Sequence, residues 1–179
     1  GVAPGSILSR SITYDPLAPA ATTHVLFNPD YEKPIRTWLS LSGVVLNFGG
    51  GVPPWRSWLT AEKTVFGPGD KLGDEVLQYT QPHGWIFEVP ITGKAFPVPL
   101  AGMGRFLHGD VAVDPGTGII YITEDQPGGG FYRFIPTTPR RLVDGGVLEM
   151  MKGADGDTLQ KFTDPEKVWD VSWVGIDKP

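Results

Sequence analysis

Cysteine is absent from the chain, which removes disulfides, thiol nucleophiles and zinc–thiolate sites together. That absence leaves the compartment open. No apolar run approaches the roughly 18 residues a membrane helix needs, and no secretory leader is visible. The chain opens on Gly1 rather than Met, as a processed or truncated start would. No basic block occurs and the formal net charge is −5, which argues against nucleic acid as the main partner. Long helix-compatible stretches are also scarce. The longest segment free of both Gly and Pro is the twelve residues from Trp55 to Phe66.

The chain is instead rich in chain breakers, with 24 Gly and 18 Pro. Helix interiors exclude Pro and are weakened by Gly, so a helix-rich fold is excluded. The hydrophobic share of 40 % is too high for a disordered chain. Short apolar runs bounded by Gly, Pro, Asn or Asp predict strands at Thr23–Asn28, Ile35–Ser40, Val44–Phe48, Trp58–Lys63 and Trp85–Val89. Further strands are predicted at Asp110–Asp114, Ile119–Glu124, Phe131–Ile135, Val147–Met151 and Val168–Val174. Their start-to-start spacing is often near ten residues, which suggests a sandwich, barrel or propeller. The segment from Val111 to Pro136 reads strand, turn, strand, turn, strand, with Asp114-Pro115-Gly116-Thr117-Gly118 supplying turn chemistry. Residues 67–81 read as an exposed loop in which Asp74–Tyr79 could hold one helical turn.

Three ordered strings resemble the PhoX family of alkaline phosphatases. The first, "LNFGGGVPPWRSWLTAEKT" at Leu46–Thr64, is similar to that family's Asn-Cys-x-Gly-Gly…Pro-Trp-Gly-Thr-Trp-Leu-Thr-Cys-Glu-Glu signature. The second, "HGWIFEV" followed by "GMGRFLHGDVAVDPGTGIIYITEDQ", is similar to His-Gly-Tyr-Val-Phe-Glu-Val and Gly-Arg-Phe-x-His-Glu…Tyr-Leu-Thr-Glu-Asp. The third is "GFYRFIP" with the closing "VSWVGIDKP". The resemblance implies an all-β fold, a β-propeller of usually six blades, in extracytoplasmic enzymes. Those enzymes hydrolyse phosphate esters at an iron–calcium centre. At roughly 40–50 residues per blade, residues 1–179 form a single region of about four blades. It is therefore expected to be completed by further chain or by a partner chain.

The departures from the pattern fall on its ligands. Phe48 stands where the family has its iron-binding Cys, and Gly109 where Glu follows the histidine. Ala61 replaces the second Cys and Lys63 the second Glu. Asp110 is one residue late, and on a strand that shift points it to the opposite face. The expected iron centre is thus absent, and calcium or no metal is expected instead. The candidate metal ligands are Glu62, Glu124, Asp125 and Asn47. Each has a plain alternative, as a strand-end carboxylate for the three acids and a turn residue for Asn47. Gly49-Gly50-Gly51 either opens backbone amides to an anion or forms a flexible turn. Arg56, standing where the family has Gly, and His108 are the candidate catalytic residues, for binding a phosphoryl oxygen and for acid–base work. His24 and His83 read as structural. Trp55, Trp58, Trp85, Trp169 and Trp173 read as core and inter-blade packing. Asp155-Gly156-Asp157 reads as a polar turn.

Two functions from different classes remain open at this point. One is a PhoX-like metal-dependent phosphoric ester hydrolase with an eroded iron site. The other is a non-catalytic β-propeller subunit of a larger assembly, since a fold survives loss of its site.

Overall fold

The computed structural model describes residues 6–12, 20–153, 164, 166, 168–177 and 179. The Asp155–Asp157 segment lies outside them. Among the described residues the fold is all-β, without an α-helix, as the Gly and Pro density requires. Strands β1 (Ser6–Ile12), β2 (Ala20–Asn28) and β3 (Lys33–Val44) form one antiparallel sheet. A second sheet has the order β4-β5-β8, from β4 (Asn47–Gly51), β5 (Ser57–Glu62) and β8 (Ile86–Pro90). The third is a five-stranded meander in the order β13-β12-β11-β10-β9. It comprises β9 (His108–Val113), β10 (Ile120–Glu124), β11 (Phe131–Pro136), β12 (Gly146–Gly153) and β13 (Val171–Gly175). Between these, β6 (Lys71–Leu72) and β7 (Glu75–Val76) make a small hairpin.

The β4-β5-β8 sheet is apolar on both faces because it lies between the other two. Successive strand residues point to opposite faces. Leu59, Ala61 and Ile86 on one face pack with Val111, Ile120, Ile122, Phe134 and Leu148 of the meander. Phe87 and Val89 on the other face pack with Leu41 and Val44 of β3. Burying each large aliphatic side chain contributes about 1.5–3 kcal/mol. A sheet buried on both faces, beside meanders of the same kind, is the layering of part of a propeller. The aromatic face of the meander is less covered. Tyr121 stacks on Phe131, and Arg133 lies over Trp173 while it pairs with Glu149 at 2.5 Å.

Four local expectations are corrected. The run Val44–Phe48 is not one strand. Val44 closes β3, Leu46 takes a positive φ of 47°, and a new strand starts at Asn47. The triple glycine is not a flexible turn but the body of β4, paired with Leu59, Thr60 and Ala61. The Asp74–Tyr79 segment forms no helical turn. Gly73, with φ 63°, closes the two-residue turn between β6 and β7, and Gly tolerates that conformation without steric cost. The tryptophans Trp55, Trp58, Trp85, Trp169 and Trp173 are half-buried rather than core. Trp55 and Trp85 border the two apolar clusters without entering either.

The glycines of β4 have a specific task. A Cβ at Gly49 would strike the Gly109 carbonyl, and one at Gly51 would strike the Val111 carbonyl. Strand β4 therefore lies against β9 in the same direction, backbone to backbone. Gly49→Ala is expected to cost more than about 2 kcal/mol, because the obstacle is main chain and cannot rotate away. Gly175→Ala, where a Cβ meets nothing within 4 Å, is expected to stay within about 0.5 kcal/mol of wild type. Urea unfolding of both variants checks the contrast.

Candidate functional site

Antiparallel pairing and the β4–β9 contact gather most of the candidate residues at one end of two sheets. Asn47, at the start of β4, pairs with Glu62 at the end of β5. His108, at the start of β9, pairs with Glu124 at the end of β10. Gly49 and Gly109 then bring the two pairs side by side.

Glu62 is fully buried. Its Oε1 accepts from the Val45 amide at 2.8 Å and from His83 Nδ1 at 2.8 Å. Its Oε2 accepts from the amides of Gly84 at 2.7 Å and Trp85 at 3.1 Å. The carboxylate thus meets four protein donors, the condition for keeping an ionised group out of water. His83 is structural, as expected, and Arg105 holds its carbonyl at 2.8 Å and that of Val65 at 2.5 Å. His24 is structural too, bridging Ser9 Oγ and the Pro90 carbonyl.

His108 is fully buried against the Phe106 ring, with centroids 4.0 Å apart. Its Nε2 lies 3.1 Å from the Gly84 carbonyl, which can only accept, so the proton resides on Nε2. Nδ1 is left as an acceptor without a hydrogen-bond partner. Burial pushes the imidazole down to about 4 from 6.5, and the carbonyls of Gly104 and Gly84 pull the other way more weakly. His108 is therefore neutral at physiological pH. Asn47 donates from Nδ2 to Thr60 Oγ1 at 2.7 Å, and its buried Oδ1 also lacks a partner.

Glu124 and Asp125 are both engaged. Glu124 Oε1 accepts from Gln126 at 2.5 Å, and Oε2 accepts from the Gly130 amide at 2.9 Å and the Tyr132 hydroxyl at 3.0 Å. Burial, together with that carboxylate, pushes the Tyr132 phenol up to about 12. Asp125 forms an ion pair with Lys63, whose ammonium lies 4.5 Å from the centre of the Phe48 ring. Sequence reasoning treats Lys63 and Phe48 only as departures from a pattern. The structure shows them as partners, and the available signal was that both fall at the same end of the β4–β5 pair.

The residues present do not fit the iron–calcium centre that the resemblance implies. Phe48 offers no ligand and is 72 % exposed. At Gly109 a side chain would meet Thr123 Oγ1 at 2.5 Å. Among the described residues no three His, Asp or Glu converge as a metal site.

Arg56 is not brought to this end. It precedes β5, a full strand length from Glu62, in the turn after β4. It takes φ 64°, a left-handed conformation that costs a side-chain-bearing residue about 1–2 kcal/mol. It borders an open cavity of about 460 Å³ together with Trp55, Ser57 and Glu88.

A family model described as alkaline phosphatase PhoX matches residues 10–179. No curated protein and no solved structure matches.

Two expectations follow from this geometry. Glu62→Gln puts an amide nitrogen among four donors and is expected to destabilise the fold by about 3 kcal/mol or more, read by urea unfolding. For His108, the unfolded ring gains its proton near 6.5 while the folded ring stays neutral down to about 4. The unfolded state binds more protons in that window, so stability falls as pH drops through it, by about 3 kcal/mol in all. The difference between wild type and His108→Gln at pH 7 and near pH 4 isolates this part. A His108 ring titrating near 6.5 by NMR would contradict it.

Proposed function

Because the chain belongs to the PhoX alkaline phosphatase family, we propose that it is a family scaffold that has exchanged iron-dependent phosphate-ester hydrolysis for a binding or structural role. The carrying observation is the Lys63–Asp125 ion pair lying over Phe48. A protein ammonium supplies the positive charge at the end of the sheets where the family pattern has metal ligands. Glu62 and Glu124 are held by protein donors at the same end.

In family enzymes the metal would polarise the phosphoryl oxygen and help deliver the nucleophile. Here the chain's own residues hold the strand ends together. As a scaffold it would act outside the cytoplasm, where the family is generally found. It would pack its Tyr121–Phe131–Trp173 face on further chain or on a partner subunit.

A second reading keeps hydrolysis of phosphate esters with calcium in place of iron. The observation favouring it is the pair of buried acceptors, Asn47 Oδ1 and His108 Nδ1, that lack partners. Elemental analysis of protein purified without chelator, beside turnover of p-nitrophenyl phosphate with and without calcium, separates the two. The scaffold reading expects no stoichiometric iron and no turnover above buffer. Calcium-dependent turnover that Asn47→Ala abolishes would establish the second reading, and stoichiometric iron would overturn both.

A further inference from the structure

The opposite end of β5 carries features that the motif end does not use. Arg56 is held at φ 64° in the turn between β4 and β5, with its carbonyl accepting from the Ile91 amide at 3.3 Å. Backbone strain of this kind persists where the surroundings fix it, and it clusters at binding sites. Its guanidinium has no ion pair or hydrogen bond among the described residues. It stands at the edge of the 460 Å³ cavity, a volume within the usual range for small ligands, roughly 300–1,000 Å³.

The walls of the cavity are built rather than incidental. Trp55 Nε1 and Ser57 Oγ both donate to Glu88 Oε1, at 2.7 and 2.6 Å. These bonds fix the indole and commit the Glu88 carboxylate to the wall instead of to Arg56. The rim is apolar, with Phe96 85 % and Val143 63 % exposed. Small-molecule sites are lined mainly by apolar and aromatic side chains with a few placed polar groups.

We propose that this cavity binds a small organic anion, with a carboxylate or phosphate-monoester head on Arg56 and an apolar body against Trp55 and Phe96. A guanidinium matches either head with two parallel N–H donors. Glu88 lines the same cavity, so a bare inorganic anion also meets an acidic wall, and the apolar body supplies the selectivity. The cavity lies a strand length from Glu62, so the proposal does not depend on whether the chain hydrolyses esters.

The test is calorimetric titration of the full chain with phenyl phosphate, phenylacetate and inorganic phosphate. Saturable binding of at least one aryl anion is expected, at least tenfold tighter than inorganic phosphate. The stronger of the two aryl ligands identifies the head group. Arg56→Gly should lose at least tenfold in affinity while melting no lower than wild type, because glycine relieves the left-handed conformation. Arg56→Gln, which keeps the local backbone, should show the same loss, and Phe96→Ser should weaken the aryl ligands alone. No saturable aryl binding, equal affinity for inorganic phosphate, or wild-type affinity in Arg56→Gln would overturn the proposal.

Discussion

The buried carboxylate of Glu62 is the interaction on which the motif end depends. Moving a lone carboxylate out of water costs many kcal/mol, so its site must supply donors in full. Those donors come from two separate parts of the chain: Val45 at the β3–β4 junction, and the consecutive residues His83, Gly84 and Trp85 before β8. Satisfying one side chain therefore fixes the relative placement of two sheets and a loop. The surroundings are built to match. Gly84 takes φ 106°, and a Cβ there would meet the Thr64 carbonyl at 2.9 Å. Its own carbonyl faces His108, which carries the constraint on to β9.

The glycines of β4 complete that arrangement. They let β4 lie against the backbone of β9, which places the Asn47–Glu62 and His108–Glu124 pairs side by side. At such closeness each change at one strand end is felt by the other. Phe48, Lys63 and Asp125 come from three strand ends and meet as ring, ammonium and carboxylate. An unpaired ammonium or carboxylate here would gain little from its neighbours. Together they form a half-exposed pair whose own contribution to stability is modest, about 0–1 kcal/mol. Its importance is the charge balance it leaves.

Much of the fold was legible because strand and turn signals are local. The Asp114–Gly118 turn and the Ile120–Glu124 strand follow from residue chemistry alone, and the meander forms where expected. Two of the failures were at glycine. Gly49–Gly51 look like a turn in sequence, since nothing local records that the β9 backbone lies where their side chains would be. Gly73 escaped for the opposite reason. The turn between β6 and β7 has a single positive φ, at Gly73, and the polar run beyond it resembles a helical turn. At the candidate site, sequence spacing identified the strand ends but not their partners. That Glu62 bonds Val45 and His83, or that Lys63 lies over Phe48, depends on pairings between residues 15 or more apart in the chain.

The two ends of β5 show the separation of fold from site in one strand. At the Glu62 end the polar groups are mostly answered by protein, and the remaining orphans, Asn47 Oδ1 and His108 Nδ1, are buried. At the Arg56 end a charged group is unanswered, strained and open to solvent. The core between them, Leu59 and Ala61 against Ile120, Ile122 and Phe134, is indifferent to either, because apolar packing asks only for volume and face. Residues at the strand ends can therefore be exchanged while the layers hold. The cost of each exchange falls on charge balance and backbone conformation at that end alone. This is how the scaffold can remain recognisable over residues 10–179 whatever its strand ends hold.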